Sequence, residues 1–169
     1  MSNISGNPVD IYDAALKDGL RANLLLKDAG YKGVGVFAGK PFAKGEMIEM
    51  CHSILLEWQS KYQRDASISR YAYALGCHCN PGPTRPPCLF NCPVNGTRYM
   101  VPLGFGACYN SAESEEEANA RYEIVPDKLL IFYIAVKDIS EGDEIVTWFG
   151  KGFYDAWCKP MIPKGAKKK

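Results

Sequence analysis

The residues that could do chemistry in this chain fall into a few short stretches. Cys77, Cys79, Cys88 and Cys92 lie together in GCHCNPGPTRPPCLFNC, with His78 among them. Four thiolates can satisfy tetrahedral zinc, but their C-x-C-x₈-C-x₃-C spacing is not that of the common C-x₂-C pairs. A zinc knot and simple free thiols both remain open readings. Glu141, Asp143 and Glu144 crowd a Gly142 turn, where carboxylates read as solvated surface rather than as an acid/base pair. A row of aromatic side chains, Trp148, Phe149, Phe153 and Tyr154, follows that turn, and LGFGACYN at Leu103–Asn110 ends on a lone asparagine amide. GVGVFA at Gly33–Ala38 alternates small and apolar residues, as a strand made for close backbone approach does.

The elements that position these residues follow from periodicity. Asn7–Leu20 reads as a helix with Pro8 in its first turn. Asn23–Lys27 and Gly33–Ala38 read as strands, Pro41–Gly45 as a turn, and Glu46–Leu56 as a β-rich stretch. Glu57–Ala74 has a helical middle, and Gly76–Gly96 is an irregular Pro/Gly/Cys-rich excursion. Arg98–Val101, the apolar run Leu129–Val136 and Glu144–Trp148 complete the strands. Many short strands with little helix between them predict a mostly β domain with short helices.

Three blocks resemble the SET domain of protein-lysine methyltransferases. The first is YKGVGVFAGKPFAKGEMIEM from Tyr31; the second is LGFGACYNSAESEEEANARYE from Leu103; the third is DISEGDEIVTWFG from Asp138. The resemblance covers most of the chain and is especially close to small stand-alone members such as the viral histone methyltransferase. It implies a β-clip architecture with a C-terminal pseudoknot, bringing Asn110 beside Phe149. It also implies a SET domain over 23–157, an N-terminal helical extension over 1–22, a cysteine-rich insertion over 76–97 and a basic tail over 158–169.

The same resemblance implies the site. Gly33, Val34, Gly35, Asn110 and Ser111 would hold S-adenosylmethionine, with Tyr154 over the adenine or simply facing the core. Tyr71, Phe149 and Phe153 would form an aromatic channel for the substrate lysine. The chain departs from the family in two ways that bear on chemistry: Ser111 replaces a histidine, and Phe149 replaces the tyrosine whose hydroxyl orients the amine. The implied activity is S-adenosylmethionine-dependent protein-lysine N-methylation of a histone tail or another basic protein, slowed by the missing hydroxyl. The alternative is a catalytically inactive SET protein serving as a cofactor- or peptide-binding module. A nearby hydroxyl, from Tyr154 or Tyr122, is a candidate substitute for the missing one.

Composition narrows the setting. With 20 basic and 19 acidic residues the net charge is +1, which argues against a dedicated nucleic-acid binder despite the KGAKKK end. The acidic Glu113–Glu117 stretch suits a basic partner. No apolar run approaches the roughly 20 residues of a membrane span, and the first residues have no secretory pattern. The expected setting is intracellular, with nuclear targeting through the Lys-rich end and homodimerisation both left open.

Overall fold

Glycine turns cut the apolar sequence into short pieces, and those pieces pair mostly with partners far away in the chain. The protein, seen here as a computed structural model, is described over residues 23–56, 68, 71–76 and 97–163. The expected N-terminal helix, the four clustered cysteines and the Lys-rich end lie outside the described residues. The chain divides into two units. The first comprises residues 1–50, 108–123 and 132–169; the second comprises 51–107 and 124–131.

The first unit opens with an antiparallel hairpin. Strand β1 (Leu24–Asp28) pairs with β2 (Val34–Ala38) from Leu24↔Ala38 to Asp28↔Val34. A 3₁₀ turn over Gly30–Lys32 joins them, and the Asp28 carboxylate accepts from the Gly30 amide at 2.9 Å. Two further strands, β3 (Met47–Leu55) and β8 (Leu130–Ala135), run through both units. Every residue of β8 is buried, as its uninterrupted apolar sequence predicts.

The feature that builds the site is the last strand. β9 (Val146–Thr147) lies between β6 (Asn110–Ser111) and β7 (Ala120–Val125) and runs parallel to both. Its register sets Asn110 against Val146 and Ser111 against Thr147. The Asn119 side chain fastens it from one side: its amide donates to the Glu144 carbonyl at 2.8 Å and its oxygen accepts from the Val146 amide at 2.8 Å. Asn119→Ala is expected to cost roughly 2 kcal/mol, because it leaves two backbone groups without partners. Urea unfolding read by the tryptophan signal measures that loss.

In the second unit, β4 (Tyr73–Gly76) pairs antiparallel with β5 (Thr97–Pro102), and β5 pairs with the latter part of β3. Met100, Tyr73, Leu130 and Ile131 are buried there. The Tyr73 hydroxyl donates to the Gly106 carbonyl at 3.4 Å.

The β-rich class expected from the sequence is the class observed. Three local expectations differ. Tyr73 and Ala74 lie in a strand rather than at the end of a helical stretch, because Met100 and Tyr99 pair with them across the sheet. Only Val146–Thr147 of the expected Glu144–Trp148 strand is regular; Glu144 makes an isolated bridge to Phe37. A helical segment absent from the sequence reading closes the described chain: an α-turn at Lys151–Phe153, a π-turn at Tyr154–Cys158 and a 3₁₀ turn at Lys159–Met161.

Candidate cofactor site

Asn110 is the centre of the site, and β6 and β9 together fix it. Its side-chain amide donates to the Val34 carbonyl at 3.3 Å and to Glu144 Oε1 at 2.9 Å. The other Glu144 oxygen lies 2.6 Å from Lys32 Nζ, so lysine, glutamate and asparagine form one chain of contacts ending on the backbone of β2. Both partners of this ion pair are largely withdrawn from solvent, which preserves more of the attraction than a surface pair keeps. Glu144 is therefore not the solvated turn carboxylate its sequence position suggested. A residue paired across a sequence separation of 112 gives no local sign of its partner.

The glycines serve this arrangement in two different ways. Gly33 has φ +82, a left-handed backbone that side chains rarely adopt, and a Cβ there would meet nothing within 4 Å. Gly35 is under the opposite constraint. A Cβ on it would stand 2.8 Å from Asn110 Nδ2, 2.9 Å from Glu144 Oε1 and 3.1 Å from the Ala29 Cβ. The space above Gly35 thus belongs to the asparagine and its carboxylate.

A pocket opens beside this chain, lined by Tyr31, Lys32, Asn110, Ser111, Tyr154, Cys158, Met161 and Ile162. The hairpin turn supplies the first two, β6 the next two, and the helical segment with Ile162 just after it the rest. Ser111 is buried, and its hydroxyl donates to the Ala112 carbonyl at 2.9 Å. Burial pushes the Cys158 thiol up, opposed by its hydrogen bond with Ser111 and by the Lys32 charge.

The aromatic residues after β9 form a cluster. Phe149 packs against Phe153 at 5.1 Å between ring centroids and against Tyr122 at 5.7 Å. Trp148 packs against Tyr154 at 5.9 Å. All these contacts are tilted, the preferred geometry for aromatic pairs. Burial also pushes the Tyr122 phenol up, so that hydroxyl stays protonated through the neutral range.

Of the residues singled out from sequence, Gly35, Val34, Asn110, Ser111 and Tyr154 come together around the pocket or its supports. Phe149 and Phe153 meet each other beside Tyr122. Tyr71 belongs to the second unit and is half exposed. The cysteine set lies outside the described residues; among those described, Cys51, Cys108 and Cys158 are in no disulfide and no metal-holding cluster occurs. Sequence reasoning missed Lys32, Tyr31, Cys158, Met161 and Ile162. The lysine stood one residue before the Gly-x-Gly, a placement that could have flagged it; the helical wall left no such sign.

The family model of the SET domain matches residues 33–150. No curated protein matches the chain. Among solved structures, the chain is similar to a Plasmodium falciparum protein assigned as a histone methyltransferase, with 22% identity and a TM-score of 0.55 over 76% of this chain and 93% of that one. It is also similar to the methyltransferase domain of human PR domain-containing protein 2, with 17% identity and a TM-score of 0.51 over 89% of this chain and 91% of that one.

Proposed function

The chain belongs to the SET-domain family, and on that premise we propose that it is an S-adenosylmethionine-dependent protein-lysine N-methyltransferase of slowed turnover. The observation that carries this reading is the pocket at Asn110, whose amide is anchored by Val34 and Glu144. Its lining suits a nucleoside joined to an amino acid. Tyr154 offers an aromatic ring, Met161 and Ile162 apolar side chains, and Lys32 a charge. When bound, S-adenosylmethionine supplies an electrophilic methyl group on a sulfonium. The chain's own residues must bind it, keep water out and hold the amine in line, and alignment of that kind can supply several kcal/mol of barrier reduction.

Phe149 and Phe153 give an apolar wall for a lysine stem, and a low-polarity wall favours the neutral amine that can attack. The wall lacks the hydroxyl that a tyrosine at 149 would place there. Tyr122 is the phenol packed on Phe149, and its protonated oxygen is the proposed stand-in for orienting the amine. Tyr154 packs instead on Trp148 and lines the pocket. Tyr122→Phe is expected to lower the remaining transfer rate by at least about tenfold while leaving cofactor affinity unchanged, read by tritium-methyl transfer beside calorimetry.

Calorimetry with S-adenosylmethionine and a tritium-methyl assay on mixed histones test the main reading. Binding with transfer supports an enzyme, and the basic substrate class is favoured by the exposed acidic side chains Glu115–Glu117. Binding without transfer supports the second reading, a SET protein that holds the cofactor or a peptide without turnover. Phe149 is the observation that favours it. Absence of cofactor binding removes the enzyme and the cofactor-holding module and leaves only the peptide-binding one.

A further inference from the structure

We infer that Glu49 and Tyr109 are positioning residues for Asn110: the buried carboxylate on β3 grips the residue just before the asparagine, and so fixes where its amide stands in the cofactor site. This role rests on the cofactor reading above. Glu49 is the only charged side chain that is buried among the described residues. Taking a carboxylate out of water is costly, and an apolar side chain of similar volume often serves stability as well or better. What the carboxylate adds that an apolar group would not is a direction.

That direction is given to Tyr109, whose hydroxyl donates to Glu49 Oε2 at 3.0 Å. The same ring is stacked on Tyr133 of β8, with centroids 4.0 Å apart and planes 21° from parallel. Both tyrosines are buried. The ring is thus fixed on its face by β8 and at its tip by β3. The carboxylate also lies close to the residue before it: burial pushes the Cys108 thiol up, and the Glu49 charge adds to the shift.

β6 needs such an anchor. It is two residues long, against the usual five or six or about that, stands at the edge of its sheet and pairs with β9, itself two residues long. Backbone pairing over so short a stretch sets the strand's approach only weakly. Asn110 must nonetheless reach the Val34 carbonyl at 3.3 Å and Glu144 Oε1 at 2.9 Å. One planar peptide unit separates the gripped tyrosine from that asparagine, so a shift of Tyr109 is passed on to the amide.

Nitrogen-15 spectra and titration calorimetry with S-adenosylmethionine, both on the full chain, test this pairing. Asn110→Ala identifies the side-chain amide signals of Asn110 by their loss. Tyr109→Phe keeps the stacked ring and removes only the hydroxyl. It is expected to shift those signals and to weaken binding about five- to tenfold, within the worth of one buried hydrogen bond. Glu49→Leu is expected to do the same. Glu49→Gln still offers an oxygen to the phenol and should keep the wild-type signals and affinity. Urea unfolding of each variant separates positioning from plain support, which would lower the midpoint and leave the affinity of the folded protein unchanged. Unmoved Asn110 signals or unchanged affinity in Tyr109→Phe, a folded Glu49→Leu that binds like the wild type, or a Glu49→Gln as weak as Tyr109→Phe overturns the inference and leaves the cofactor reading standing. A wild type that does not bind S-adenosylmethionine overturns the cofactor reading, and the role of the pair with it.

Discussion

Phe149→Tyr is expected to raise methyl transfer by about 10²–10³, with little change in affinity for S-adenosylmethionine. The reasoning begins with what the wild-type ring already does. Phe149 is packed on Phe153 at 5.1 Å and on Tyr122 at 5.7 Å, so its ring is held by aromatic neighbours. Adding an oxygen therefore adds a preorganised polar group without having to create the site around it. A donor or acceptor fixed before the reaction contributes more than one that must be ordered during it. Tritium-methyl transfer on mixed histones, wild type beside variant, reads the result. Activity appearing only in the variant identifies the natural protein as a binding module one oxygen short of an enzyme. Equal rates mean that Tyr122 already fills the role, and Tyr122→Phe in the Phe149→Tyr background should then be tolerated. If S-adenosylmethionine binds and neither protein transfers, the missing hydroxyl is not what limits the reaction.

Gly35→Ala carries the second large effect, an expected loss of about 10–100-fold in S-adenosylmethionine affinity together with roughly 1–3 kcal/mol of stability. A single methyl group does this because the position it would take is 2.8 Å from the Asn110 amide nitrogen and 2.9 Å from a Glu144 oxygen. One of them must move, and each is tied to the other and to Val34 or Lys32. The asparagine would leave the pocket edge while the carboxylate would lose a donor. Removing the obstructed side chain gives a check on the cause. In an Asn110→Ala background the steric part of the Gly35→Ala penalty should shrink, so the two substitutions together should cost less than their sum. Strict additivity in calorimetry and urea unfolding would refute the proposed crowding.

The sequence carried the strands well where a single stretch contains its own pattern. The buried run at Leu130–Ala135 and the hairpin at Leu24–Ala38 were legible because apolar continuity and a Gly turn are local signals. Asn110 and the Gly-x-Gly were legible through resemblance, although the reason for Gly35 was not. Its constraint comes from two side chains 75 and 109 residues further along (110 − 35 and 144 − 35), which no window of sequence brings together. Glu144 was read as solvated for the same reason: a GDE turn looks alike whether or not a lysine waits across the fold. The helical wall at Lys151–Met161 was missed because Gly152 and Pro160 interrupt any helical period, and the segment uses three kinds of turn to continue. The sequence offered Tyr122 and Tyr154 alike as substitute hydroxyls; that Tyr122 packs on Phe149 and Tyr154 on Trp148 came into view only once β7 and the segment after β9 could be seen together.

The parallel insertion of β9 between β6 and β7 also has a consequence for how the molecule is made. Asn110 and Lys32 emerge from the ribosome long before Glu144 and Val146, and the carboxylate that ties the two together is missing until that late segment arrives. Nascent chains ending before Val146 would carry most of the β scaffold yet no competent grip on a nucleotide. Closure over such sequence distances slows folding. The Glu144–Val146 segment thus acts as the key that turns a finished scaffold into a receptor.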